Sequence, residues 1–266
     1  MHPATGSIRV GVGGWTYEPW RGTFYPAGLA QQRELEYASR QLTAIEINGT
    51  YYGTQKPESF VRWRDETPDG FVFSVKASRH ATNRRVLAES GESIERFIGS
   101  GIARLGPKLG PILWQFMPTK RFEPDDFGAF LALLPHEVEG LPLRHAIDVR
   151  HASFMTAEYL ALARGFRIAT VFADTDEYPS FADITGDFVY ARLQRSKADV
   201  ATGYAAGALD AIADCARLWA SGSEPQVAPR IEAAQPAGAA RDVFLFFISG
   251  AKERAPAAAR ALIERL

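Results

Sequence analysis

Charged side chains recur in this sequence at the ends of short apolar runs. The residues concerned are the acids Glu46, Asp148 and Asp174 and the bases Lys76, Arg150 and Arg192. A carboxylate can give a proton to a substrate or take one from it, and a guanidinium binds phosphate or carboxylate through paired hydrogen bonds. Gathered at one pocket, these groups predict acid/base chemistry on an anionic ligand.

Each charged residue of this set has a predicted role. Glu46 is the main candidate for proton transfer, while Asp148 and Asp174 are candidates to orient bases or ligand hydroxyls. Lys76 is a further catalytic candidate, expected as a charge partner, with an imine to a carbonyl substrate as the less favoured alternative. For the whole set, the alternative is a buried network of ion pairs that serves the fold alone.

Amides, aromatic rings and two histidines complete the predicted site. Aromatic rings offer stacking surfaces for sugars and bases, although packing of the loops is the alternative for each of them. The histidines follow the third and fifth predicted strands, from where they can reach the pocket. The predicted ligand-binding residues are Trp15, Tyr17, Asn48, Tyr51, His80, Gln115, Arg150, His151, Arg192, Gln194 and Tyr204.

The histidines do not predict metal chemistry. The sequence has five of them, and none stands in an HxH or HExxH pattern. Zinc and iron sites usually need histidine, and the interleaved lysine and arginine oppose a cation. We predict no metal site and no cofactor, with a divalent metal on the carboxylates as the minor alternative.

Eight apolar runs, separated mostly by helical patterns, would position these residues. The runs are 8–14, 43–48, 71–76, 111–115, 145–150, 169–174, 188–194 and 242–248. Strands that alternate with helices form parallel units, and eight such units close into a barrel whose active site lies at the carboxyl ends of the strands. We predict an α/β protein with a single (β/α)8 TIM-barrel-like domain over residues 1–266, irregular around strands 6 to 8.

Residues 221–240 interrupt the pattern. This stretch contains three prolines and many alanines and glycines, which predicts a flexible insertion before the last strand. Elsewhere, 46% hydrophobic content can fill a sizeable core. The net charge of −1 disfavours a whole-protein attraction to nucleic acid or membranes. The single Cys215 and the lack of a leader or of a long apolar segment predict a cytoplasmic protein without a membrane partner.

Several motifs occur in the order found in one known family. They include Gly13-Gly14-Trp15-Thr-Tyr17, Ile45-Glu-Ile-Asn48-Gly-Thr50, Gln115-Phe-Met-Pro118 and Asp148-Val-Arg150-His151. The chain resembles the YecE-like proteins, grouped as domain of unknown function 72. The resemblance implies a TIM-barrel-like fold and no agreed activity.

The chain departs from the family pattern at three places. Asn83 stands where the family has a histidine after threonine, Gln194 replaces another histidine, and Ser249 replaces the first of two asparagines. A reaction that needs those imidazoles is therefore in question here.

The sequence leaves three functions open. We expect an enzyme, a hydrolase or an isomerase, that acts on a small anionic or phosphorylated polar molecule. The runner-up is a protein that binds or processes nucleic acid through the basic segment 76–85, which contains no acidic residue. The third is a ligand-binding barrel without catalysis.

Overall fold

A computed structural model describes residues 5–226, 229–234 and 237–266. The strands are β1 (Ile8–Gly13), β2 (Ala44–Ile47), β3 (Val72–Lys76), β4 (Leu109–Gln115), β5 (Glu137–Val138), β6 (Leu141–Pro142), β7 (His145–Asp148), β8 (Ala169–Asp174), β9 (Phe188–Leu193) and β10 (Asp242–Phe247). Short β5 and β6 form a separate antiparallel pair. The other eight strands run parallel in the order β1-β2-β3-β4-β7-β8-β9-β10, and β10 closes the barrel on β1. The predicted (β/α)8 fold is confirmed.

Helices lie between most of the barrel strands. They are α1 (Glu34–Ala38), α2 (Gly49–Tyr52), α3 (Pro57–Glu66), α4 (Arg79–Thr82), α5 (Gly91–Ile98), α6 (Pro124–Ala132), α7 (Ala157–Gly165), α8 (Ala206–Ala220) and α9 (Ala255–Ile263). Local chemistry sets their starts. Pro57 occupies a first-turn position of α3. Proline is tolerated there because a backbone N–H in the first turn has no acceptor within the helix. The Thr156 hydroxyl caps α7 by accepting a hydrogen bond from the Tyr159 amide at 3.2 Å.

The alternation of side chains along the strands divides the apolar residues into two groups. Ala44, Leu113, Val171 and Phe244 belong to the group that fills the barrel interior. Residues of the opposite parity pack against the helices, because successive strand side chains point to opposite faces. Trp114 is one of these, and its ring contacts Phe97 of α5 and Phe130 of α6 in edge-to-face geometry.

One connection lacks the usual helix. Residues 175–187, all of them described, contain no helix between β8 and β9. This loop is packed instead against described parts of 221–240, where the Asp183 carboxylate accepts hydrogen bonds from the amides of Ile231 and Glu232 at 2.9 and 3.0 Å. Arg164 of α7 also pairs with Glu232 at 2.6 Å. The flexibility predicted for 221–240 stays a prediction, since residues 227–228 and 235–236 lie outside the described residues.

Candidate functional site

A buried arginine links two carboxylates at the carboxyl end of the barrel. Arg192 of β9 is 2% exposed, and its guanidinium donates hydrogen bonds to Glu46 Oε1 at 3.0 Å and to Asp148 Oδ2 at 2.8 Å. Burial opposes the charge of Arg192, but Glu46 and Asp148 outweigh it and raise its pKa above the ordinary value. We call Glu46, Asp148 and Arg192 the buried triad.

Neighbouring polar groups fix the triad in place. The Tyr190 hydroxyl donates to Glu46 Oε2 at 2.8 Å and lies 2.8 Å from the Ser74 hydroxyl. The Arg150 guanidinium binds Asp148 Oδ2 at 2.8 Å. The Gln115 amide oxygen accepts from Arg192 at 2.9 Å. These contacts use side chains from five strands or strand ends, so the closed barrel itself holds the triad rigid.

Lys76 stands apart from this network. It is 7% exposed, and its ammonium lies 4.2 Å from the centre of the Tyr51 ring. Within the described chain, Nζ makes neither a hydrogen bond nor an ion pair, so the expected charge partner of Lys76 is not found there. Burial, and then the charge of Arg192, lower the pKa of Lys76 to about 8.

A cavity of about 690 Å³ opens above these groups. Seven of the predicted site residues line it: Trp15, Asn48, Lys76, Gln115, Arg150, Arg192 and Gln194. Glu46 and Asp148 lie behind Arg192, and neither carboxylate belongs to the cavity wall. We call this space the mouth cavity.

Asp174 and Tyr204 do not join the mouth cavity, and their placement there was wrong. Ala169 and Val171 of β8 belong to the interior group, so Asp174, of the opposite parity, points towards the helices. Asp174 lines a separate outer cavity of about 540 Å³ between α8 and the strands β8 to β10. There it accepts a hydrogen bond from the Tyr204 hydroxyl at 3.3 Å, and burial raises its pKa.

The predicted histidines also lie outside the mouth cavity. His80 is exposed on α4 and lines a different, smaller cavity with Ser93 and Arg96. The His151 ring accepts a hydrogen bond from the Ser153 amide at 3.1 Å, which caps a short 3-10 turn after β7. Neither imidazole is therefore in place to act on a ligand in the mouth.

Two predicted aromatic residues support the cavity from behind its wall. The ring of Tyr51 underlies the ammonium of Lys76, as described above. The ring of Tyr17 lies 4.5 Å from the ammonium of Lys252. Each ring therefore contacts a lining lysine without lining the cavity itself.

Sequence reasoning missed several residues at this end of the barrel, including the acid Glu177 of the cavity wall. Tyr190 shares the inward parity of Arg192 and could have been found from it. Tyr178 lies in a loop and Lys252 in a short 3-10 turn before α9, where no periodicity indicates direction. The Tyr178 hydroxyl accepts a hydrogen bond from Gln194 at 2.5 Å, and its ring lies 4.5 Å beneath the guanidinium of Arg150. Lys252 lines the mouth cavity, and burial lowers its pKa.

Residues 5–226, 229–234 and 237–266 contain no group of three or more His, Cys, Asp or Glu side chains suited to a metal ion. No helix in these ranges has the length and apolar character that crossing a membrane requires.

The family model described as "Protein of unknown function DUF72" matches residues 9–266. The chain belongs to the DUF72 family. The UPF0759 protein YecE of Escherichia coli K12 is 28% identical to this chain over 149 residues, which cover 55% of this chain and 50% of YecE. The UPF0759 protein YunF of Bacillus subtilis 168 is 26% identical over 157 residues, or 57% and 54% of the two chains. The chain spans about half the length of these curated relatives.

A solved DUF72 structure from Thermotoga maritima MSB8 shares the fold. It superposes with a TM-score of 0.69 at 21% identity and covers 97% of both chains. At this identity the likeness shows the fold alone. Of the three departures from the DUF72 pattern, Gln194 and Ser249 line the mouth cavity, while Asn83 is exposed at the end of α4.

Proposed function

We propose that this protein is an enzyme that acts on a small anionic polar molecule in the mouth cavity. The observation that carries the proposal is the unpaired ammonium of Lys76. The two buried carboxylates are matched by the guanidinium groups of Arg192 and Arg150, so Lys76 adds a positive charge with no carboxylate within 4.0 Å of it among the described residues. The one acid on the cavity wall is Glu177, which forms no ion pair with Lys76. A buried charge without a partner is unfavourable, and an anionic ligand would supply one.

The loop after β10 adds further groups suited to an anion. Ser249 and Gly250 both have left-handed backbone conformations, with φ of 66° and 61°. Their amide N–H groups have no hydrogen-bond acceptor in the described chain. Ser249 lines the mouth cavity, as does Lys252 three residues later, and Lys252 forms no ion pair with the described acids. Free amides next to a cation are typical of phosphate-binding loops at this end of a barrel.

The geometry shifts the proposed proton-transfer role from Glu46 to Lys76. Glu46 is fully buried and both its oxygens are bound, whereas Lys76 lines the cavity. An amine with a pKa near the working pH is suited to exchange protons with a substrate. Glu46 and Asp148 then act as positioning residues that orient Arg192 and Arg150. Assignment to the hydrolases or isomerases, and a cytoplasmic location, remain predictions.

Anion binding can be tested by thermal shift and calorimetry with inorganic phosphate, 2-phosphoglycolate and a neutral polyol. We expect the two anions, but not the polyol, to raise the melting temperature, because a ligand that binds only the native state stabilises it. Lys76→Met and Lys252→Met should weaken binding about tenfold or more, the loss of one charged contact. Lys197→Met, in the outer cavity, is the matched control. Equal binding by wild type and Lys76→Met would exclude the proposed site.

Catalysis needs a separate measurement, since a non-catalytic barrel would also bind anions. A screen of phosphorylated and carboxylated metabolites for turnover, read by mass spectrometry, should yield a substrate whose conversion Lys76→Met abolishes. Tight anion binding with no conversion across the screen would favour the ligand-binding barrel.

Nucleic-acid binding remains a second candidate because of one surface feature. The ring of Tyr52 on α2 is 67% exposed, and the guanidinium of Arg79 on α4 lies 6.0 Å from its centre. An exposed ring beside a cation suits stacking with a base and contact with phosphate. Loss of oligonucleotide binding in Tyr52→Ala and Arg79→Ala, with Lys76→Met unaffected, would favour this candidate.

A further inference from the structure

Lys76 combines three properties that nucleophilic lysines need. The amine is at the wall of a cavity large enough for a small metabolite. It is nearly excluded from bulk water, and no carboxylate lies within 4.0 Å of it among the described residues. Two guanidinium groups, Arg150 and Arg192, line the same cavity. A carboxylate partner would hold the amine protonated, whereas these surroundings favour the neutral, nucleophilic form.

The surroundings decide how much neutral amine is present. With a pKa of about 8, roughly a tenth of Lys76 is neutral near pH 7. For an ordinary lysine, with a pKa of about 10.4, the neutral fraction is below about a thousandth. The advantage in reactive amine is therefore of order 100-fold.

The cavity also selects the kind of carbonyl compound. The free amide of Ser249, with Lys252, can hold an anionic group at the β10 side. In the barrel, β10 is followed by β1, β2 and then β3, which carries Lys76. Lys76 is therefore three strands away from β10. An anion bound at one side thus leaves the remainder of the molecule to extend across the mouth towards the amine.

We propose that Lys76 forms an imine with the carbonyl carbon of a small anionic aldehyde or ketone. This inference rests on the proposed function and names the substrate class for the same site. The neutral amine adds to the carbonyl carbon, and a proton moves from nitrogen to oxygen to give a carbinolamine. Loss of the hydroxyl with a proton as water then leaves the C=N bond, and no oxidant or reductant takes part. Once protonated, the imine can withdraw electrons from the adjacent carbon.

The test uses pyridoxal 5′-phosphate as an anionic aldehyde probe, followed by sodium borohydride and peptide mass spectrometry. Borohydride delivers hydride to the imine carbon and fixes the adduct as a secondary amine. We expect labelling of Lys76 to exceed that of the exposed Lys56 and Lys197 about tenfold or more. Pyridoxal, which lacks the phosphate, should label Lys76 more slowly, and inorganic phosphate should compete with the phosphorylated probe.

Two variants separate the imine from anion binding. Lys76→Arg keeps a cation at the site and cannot form the adduct, so it should retain the thermal shift with 2-phosphoglycolate while losing the label. Lys252→Met should keep the label on Lys76 at a higher probe concentration. Labelling spread evenly over exposed lysines, or confined to Lys252, would overturn the imine. If anions raise the melting temperature but Lys76 stays unlabelled, the anion site is supported and the imine is excluded. If anions do not raise the melting temperature and Lys76 stays unlabelled, both proposals are excluded.

Discussion

At the scale of single residues, Arg192 has the largest structural role in the site. It is the shared partner of two buried carboxylates from different strands. Removing it leaves Glu46 without its guanidinium partner and leaves Asp148 with Arg150 alone, and breaking a buried pair is strongly unfavourable. We therefore expect Arg192→Met to lower the free energy of unfolding by about 3–5 kcal/mol in urea denaturation.

A matched variant distinguishes this effect from a general loss of charge. Arg150 binds only Asp148 of the triad and is more accessible to solvent. Arg150→Met should therefore destabilise the protein clearly less than Arg192→Met. Equal losses in the two variants would contradict the role given to Arg192.

Lys76 makes the stability of the protein depend on alkaline pH. Its pKa is about 8 in the folded protein, against an ordinary value of 10.5. Below about pH 8 the amine is protonated in both states and the folded state carries the full penalty of the buried charge. As pH rises towards 10.5 the unfolded state binds more protons, so stability rises relative to a protein without this amine.

The variant Lys76→Met tests this dependence. Between about pH 7 and pH 10, wild type should gain up to about 3 kcal/mol of unfolding free energy over the variant. Urea denaturation of both proteins across this range gives the difference directly. A difference independent of pH would show that Lys76 titrates as an ordinary surface amine.

Residue types and strand parity predicted much of the site. Glu46, Lys76, Gln115, Asp148, Arg150 and Arg192 all lie at the barrel mouth as alternation requires. The prediction that Asp174 lies at the mouth was wrong because it relied only on the position of Asp174 at the end of an apolar run. The inward positions of β8 carry Ala169 and Val171, one residue out of phase with it.

Other features lay beyond sequence reasoning. Tyr178 lies in a loop and Lys252 in a short 3-10 turn, and the directions of such side chains depend on tertiary contacts. Whether a charged group finds a partner also depends on distances across the barrel, so the unpaired state of Lys76 could not be read from its strand.

At the scale of elements, two glycines of β1 have different structural roles. A Cβ on Gly11 would lie 1.9 Å from the Ala44 carbonyl oxygen of β2, which is backbone and cannot move aside. A Cβ on Gly13 would lie 2.8 Å from the end of the Ile248 side chain and 2.9 Å from the Asn48 amide, both at the mouth cavity. The first glycine serves strand packing, and the second keeps the cavity open.

The pair Gly11→Ala and Gly13→Ala should separate these purposes. Gly11→Ala should lower the free energy of unfolding by roughly 3 kcal/mol, the upper end for overpacking. Gly13→Ala should lose less than about 1 kcal/mol, since movable side chains can adjust, but should weaken anion binding. Thermal unfolding and calorimetry of both variants check this. The reverse order of stabilities would contradict it.

The connection from β8 to β9 shows the limit of prediction at this scale. The sequence predicted irregularity around strands 6 to 8, and residues 175–187, between the sixth and seventh barrel strands, form a loop without a helix. The outer cavity is bounded by α8 and lined by Asp174. Its presence depends on how the neighbouring elements pack. No local pattern carries that information.

At the scale of the whole molecule, the overall charge and the local charge differ. The chain has a net charge of −1, yet the mouth cavity is lined by the four cations Lys76, Arg150, Arg192 and Lys252 and by one acid, Glu177. Small anions should therefore bind with modest salt dependence, because a partly enclosed site is screened less than a surface. Oligonucleotide binding to the exposed Tyr52 and Arg79 would instead release counterions.

Salt titrations can thus decide between the two proposed ligand classes. Between about 50 and 200 mM salt we expect the affinity for 2-phosphoglycolate to fall only a few-fold. Oligonucleotide binding through several phosphate contacts would fall far more steeply over the same range. A steep dependence with a short oligonucleotide, together with no binding of small anions, would reverse the ranking.

The partnerless amine of Lys76 also links ligand binding to the uptake of protons. The guanidinium groups of Arg150 and Arg192 pair with Glu46 and Asp148, whereas Lys76 has no ion-pair partner among the described residues. An arriving anion favours the ammonium form, and near pH 8 each binding event should therefore draw a fraction of a proton from the buffer. Calorimetry with 2-phosphoglycolate in buffers of different ionisation enthalpy would show it as a buffer-dependent heat, smaller in Lys76→Met. The protein would then take up its ligand more readily wherever protons are more abundant.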